Sequence, residues 1–135
     1  MSKDVTTSLT SDEQLTLQRA AYGAVHLVSV AQPGVMATTR ANITGAKVLT
    51  GATGTVGQIL SSKAKIKLKG NTADVAAEVL PALTATTAVL KAKSPADTEE
   101  FRTIVTVAVE QAAERAGVSP ARQAMVTKIT GALAA

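Results

Sequence analysis

This chain must build its interior almost without aromatic rings. It has one Phe (Phe101), one Tyr (Tyr22) and no Trp, while Ala, Val, Leu and Ile are abundant. Small side chains fill a core only where backbones approach closely, which points to tightly packed helices or to burial against a second copy of the chain. A length of 135 residues suits one domain that folds without staples. With no Cys, disulfides and thiolate metal sites are excluded, and a reducing, cytoplasmic setting fits.

Helix punctuation is frequent along the chain. Residues 1–10 are polar, lack the apolar run of a signal peptide and read as a flexible leader; residues 11–135 read as a single helical domain. Ser11 and Gln14 form a candidate capping box, with Asp12 and Glu13 in the first turn. Leu17, Ala20, Ala21, Ala24, Val25, Val28 and Ala31 then recur at helical spacing until Pro33-Gly34. No residue from Ala20 to Thr39 is charged, but the apolar run is too short to cross about 30 Å of hydrocarbon, so it reads as a buried helix.

A second helix is expected from about Val35 to Leu49, with Met36, Thr39/Arg40, Ile43 and Lys47 offset by three or four. Asn71-Thr72 starts another that runs to about Lys93, and Pro81 inside it should kink or divide it. Ser94-Pro95 and Ser119-Pro120 each place a capping Ser before a Pro at the first helical position. Between them, Phe101, Ile104/Val105, Ala108, Ala112 and Ala116 mark a buried stripe that ends at Gly117; Met125, Ile129 and Leu133 mark the next. The expected fold is all-α: one bundle of five to six helices, with a Gly-rich, lysine-alternating connection in the middle.

That connection opens with KVLTGATGTVG, in which Gly51, Gly54 and Gly57 are spaced like a nucleotide loop. Such glycines let a backbone approach a pyrophosphate seated on a helix N-terminus, and GATGTVG resembles the loop of short-chain dehydrogenases. Asp74 follows at about the distance of a ribose-binding acid. The flanking segments read as helices rather than βαβ units, and the single Tyr precedes the loop as Tyr22-Gly-Ala-Val-His26, without the lysine a Tyr-x-x-x-Lys pair needs. A loose link between helices is therefore the preferred reading, with NAD(P) binding as the alternative; no cofactor is expected.

Charge is distributed unevenly. From Gln14 to Ala73 there is no acid, while Arg19, Arg40, Lys47, Lys63, Lys65, Lys67 and Lys69 are basic. Lys63–Lys69 alternates with Ala, Ile and Leu, as in a strand or an extended loop laid on the bundle. The four lysines are the candidate anion-binding group, for nucleic acid or an anionic membrane, against the simpler reading of a solvated edge protected from aggregation. Without aromatics or Arg in that segment, sequence-specific nucleic-acid recognition is not expected.

Arg19, Tyr22 and His26 lie on one helix face and form a candidate polar cluster, although any acid for His26 must come from another helix. Glu99-Glu100 falls in a helix's opening turn, and Glu110 and Glu114 share a face that reads as solvated, with metal ligation a minor alternative. No catalytic constellation converges, and the chain reads as non-enzymatic.

Taken in order, TSDEQ, QRAAYGAVHLVSVAQPG, KSPADTEEF and AERAGVSPARQAMVTKI resemble a group of small helical bacterial proteins related to the tellurite-resistance B-like fold. The likeness covers most of the chain and rests on pattern, not on a diagnostic motif. Some members of that group carry an Asp-Gly…Glu metal cluster after the first long helix. Here the position reads Ala31-Gln32-Pro33-Gly34-Val35, with no carboxylate, so the resemblance brings no metal site. Together with the Ala/Val core and the lack of a convergent polar site, the resemblance points to a small intracellular helical module acting through protein contact or self-association.

Overall fold

A computed structural model of the chain describes residues 9–31, 35–62, 68, 70–117 and 119–135. Among them are six helices and no strand: α1 (Ser11–Val30), α2 (Val35–Gly51), α3 (Gly54–Ser61), α4 (Thr72–Lys93), α5 (Pro95–Ala116) and α6 (Pro120–Ala134). The all-α expectation holds, and the Gly-rich connection contains a short helix, α3. Lys63, Lys65, Lys67 and Lys69 lie outside the described residues, as does the Pro33-Gly34 stop.

The helix starts follow from local chemistry. α1 is capped one residue earlier than Ser11: the Glu13 amide donates to Thr10 Oγ1 at 3.1 Å, and the Thr10 amide donates to Glu13 Oε1 at 2.9 Å. Thr-x-x-Glu overlaps Ser-x-x-Gln here, and the charged carboxylate at the third position is favoured by the helix dipole. Gln14 instead donates from Nε2 to the Leu9 carbonyl. Asn71 and Asp74 make the same reciprocal box at α4, with bonds of 2.9 and 3.2 Å. Ser119 accepts the Arg122 amide at α6. Ser94 occupies the cap position of α5, but its hydroxyl donates to the Asp97 carboxylate rather than capping an amide.

Pro81 does not divide α4, which runs unbroken for 22 residues. The helix is held along its whole length, since Val75, Val79, Leu83, Thr86, Thr87 and Leu90 are buried on one face. Pro81 and Ala77 lie on the opposite, exposed side, where water can serve the carbonyl that loses its amide partner. By length and composition α4 is apolar enough to cross a membrane, with mean hydropathy 1.3 over an 18-residue stretch of which a third is buried in the bundle.

α1 and α5 are the two central helices, and each packs on all the others. The uncharged second half of α1 is the most enclosed part, with Ala20, Ala21, Ala24, Val25, Leu27 and Val28 all buried. Phe101, Leu17, Leu83, Leu90, Ile129 and Leu133 close the core around it, each contributing about 1.5–3 kcal/mol of transfer free energy. The small-residue core works through close approach, as expected. A Cβ added at Gly45 of α2 would lie 2.5 and 2.8 Å from the two methyls of Val25, and one at Gly23 of α1 would collide with Val79 of α4.

α2 buries Ala41, Gly45 and Leu49. Its offset set of Met36, Thr39/Arg40, Ile43 and Lys47 shares the opposite face, which is exposed. Gly45 faces Val25 of α1, while the helix as a whole packs more extensively on α5.

Candidate functional site

The glycine loop does hold an anion, and the anion belongs to the protein. α2 ends at Gly51, two residues intervene, and α3 begins at Gly54 with φ +81°. Thr53, at the cap position, makes no side-chain cap bond. Instead Glu100, in the first turns of α5, brings its carboxylate to the helix start, where Oε1 accepts the Val56 amide at 3.0 Å. A side chain at Gly54 would run into that carboxylate, and one at Gly57 into the Ala52 carbonyl. The expectation of a loose link is corrected: this is a tight corner, closed by a carboxylate from a distant helix. An anion at amides aimed along the helix axis is the arrangement a phosphate would use.

The other residues of the nucleotide reading are engaged elsewhere. Asp74 completes the α4 capping box. Tyr22 donates from its hydroxyl to the Leu60 carbonyl at 2.7 Å, fastening α3 to α1, and burial raises its pKa above the ordinary 10.0.

Arg19, Tyr22 and His26 share a face of α1 without forming a hydrogen-bonded trio. An acid does arrive from another helix, but it is Glu78 of α4 and it pairs with Arg19, whose Nε donates at 2.9 Å. His26 is half-buried and makes no hydrogen bond among the described residues; burial holds its pKa below 6.5, which favours the neutral imidazole. It has neither the orienting carboxylate nor the nucleophile that general-base work requires.

The paired acids separate into different roles. Glu99 pairs with Arg102, whose Nε also donates to the Leu133 carbonyl at 2.7 Å and ties α5 to α6. Glu110 and Glu114 are exposed and line a shallow cleft of about 240 Å³ between α5 and α6, with Ala113, Gln123 and Val126. Among the described residues no group of three or more His, Asp or Glu could hold a metal ion. A second depression, between the start of α1 and α4, is lined by Leu9, Thr16, Ala85, Thr86 and Val89, with Glu13 at its edge in an ion pair with Lys93. The buried Thr86 hydroxyl has no hydrogen-bond partner, but its oxygen is sealed from solvent and from the depression. Leu68, set among the four lysines, is half-buried against the core.

What the sequence reading passed over is the outer face of α2. Met36 is 72% and Ile43 52% exposed, and Arg40 and Lys47 stand beside them on the same face. Neither cation has an ion-pair partner among the described residues. The signal was present in the offset of residues 36, 40, 43 and 47 and in the lack of acids around them, but it does not say which face turns inward. Comparison with protein-family models, curated proteins and solved structures returned no match.

Proposed function

We propose that the chain is a non-enzymatic intracellular helical module that acts through protein–protein contact, and first of all through self-association. The observation that carries this reading is the α2 face, where two large apolar side chains, Met36 and Ile43, are exposed and alternate with the cations Arg40 and Lys47. Isolated exposed apolar residues are ordinary, but two on one helix row with unpaired charges have the make-up of a contact surface. The polar groups that suggested chemistry support the same reading, since Arg19, Tyr22 and Glu100 each tie two helices together and Asp74 caps the start of α4. The resemblance to tellurite-resistance B-like helical proteins belongs to this proposal as well.

Sedimentation of the intact chain from micromolar to millimolar concentration tests it, with the double variant M36S/I43S alongside. The mass should rise with concentration for the natural chain and stay monomeric for the variant, whose fold is untouched because both sites are exposed. A strict monomer at every concentration contradicts self-association. Substrate turnover that disappears on removal of a polar cluster contradicts the non-enzymatic reading.

A further inference from the structure

We infer that the partner of the α2 face is a second copy of this chain, docked so that the Glu110–Glu114 side of its α5–α6 cleft receives the stripe of Met36, Arg40, Ile43 and Lys47. This rests on the self-association reading above and specifies its geometry. The stripe is apolar at 36 and 43 and cationic at 40 and 47, so one row of helix presents hydrophobic knobs flanked by positive charge. The α5–α6 cleft is its complement. Glu110 and Glu114 stand on its α5 side, Gln123 on its α6 side, and Ala113 and Val126 form an apolar floor. Neither glutamate has an ion partner among the described residues. Two adjacent carboxylates on one face repel each other mildly and are relieved by a cation placed between them.

The two surfaces also adjoin. Thr44, next to Ile43 on α2, lines a shared depression with Gln111, Glu114 and Arg115 of α5. A patch that carries both halves of a complementary pair side by side can meet a copy of itself across a two-fold axis, satisfying both contacts in one interface. A closed dimer follows, not an open chain. The neighbouring carboxylates also argue against an anionic lipid surface or a nucleic acid as the occupant, because Glu110 and Glu114 would face its phosphates.

The test is charge reversal read by sedimentation. R40E/K47E and E110K/E114K change only exposed positions, so both should fold, which their thermal unfolding checks. The natural chain should stop at a dimer and dissociate more readily as salt rises. Each variant alone should associate about tenfold or more weakly, and an equimolar mixture of the two should recover the dimer, since every reversed contact again finds its opposite. If both variants dimerise like the natural chain, this pairing is wrong while self-association stands. If the natural chain is monomeric throughout, the pairing and the self-association reading fall together. If it is monomeric and binds anionic vesicles through Arg40 and Lys47, the second copy is replaced by a lipid surface.

Discussion

Removing the Glu100 carboxylate should loosen the corner between α2 and α3. The Val56 amide is among the first in α3 that have no partner inside the helix, and Thr53 does not cap it. Glu100 supplies that bond from 44 residues away, together with a negative charge at the positive end of the helix dipole. A charge-assisted bond to an amide contributes about 1.5–3 kcal/mol, and loss of a helix cap costs about 0.5–2 kcal/mol. Because Glu100 is only half-buried, although Val56 is fully enclosed, Glu100→Ala should cost about 1–2 kcal/mol, a fall of about 4–7 °C in Tm for a domain of this size. Glu100→Gln keeps the shape and a neutral acceptor, so about half of that loss is expected. Glu99→Ala, whose carboxylate is exposed and pairs only with Arg102 at the surface, should change stability by less than about 1 kcal/mol. Urea unfolding of the three variants, with hydrogen exchange at the Val56 amide, reads both the global and the local effect. If Glu100→Ala matches Glu99→Ala in stability and leaves Val56 exchange unchanged, the carboxylate does not cap the loop.

Four further substitutions probe the packing and the half-buried imidazole of His26. Gly45→Ala places a methyl 2.5 and 2.8 Å from a buried Val25 that has little rotamer freedom, so despite a gain of about 1 kcal/mol in helix propensity it should destabilise, whereas Gly131→Ala, with nothing within 4 Å, should stabilise by about 0.5–1 kcal/mol; thermal unfolding of the pair decides. Pro81→Ala restores an amide in the middle of α4 and should raise stability by about 1–2 kcal/mol after the entropy that Pro removes from the unfolded chain is set against it, as denaturant titration would show. Burial lowers the His26 pKa, so the unfolded chain takes up its proton at a higher pH than the folded one; stability should decline as pH falls below about 6.5 and level off below the folded pKa. His26→Gln should remove that slope between neutral and mildly acid pH, and an unchanged profile would mean another group sets it.

Much of the fold was legible because its punctuation is local. Asn71 with Asp74, and Ser119 before Pro120, mark helix starts within a few residues, and the structure places caps there. The α1 start shifted by one residue because two capping patterns overlap and the glutamate prevails over the glutamine. Pro81 does not divide α4, because the buried row from Val75 to Leu90 fastens both halves of the helix to the bundle, which proline's backbone preference alone does not announce. The glycine loop was half legible: its spacing does signal an anion at a helix start, but nothing near it announces Glu100, which arrives from α5 only in three dimensions. The outer face of α2 was illegible for a related reason. Where the core is made of Ala and Gly, the larger residues Met36 and Ile43 look inward by pattern, although Ala41 and Gly45 are the buried ones, with Gly45 set against Val25 of α1.

The outer face of α2 is most directly tested by footprinting it on the intact chain. The natural sequence has no cysteine, so I43C introduces a single thiol on that face, and A77C introduces one on the exposed side of α4 as a comparator. Maleimide labelling of each is followed while unlabelled natural chain, which consumes no reagent, is added in increasing amount. Contact through α2 predicts that labelling of I43C slows and then reaches a plateau as natural chain is added, while A77C labels at a constant rate. Equal rates for both at every concentration would contradict it.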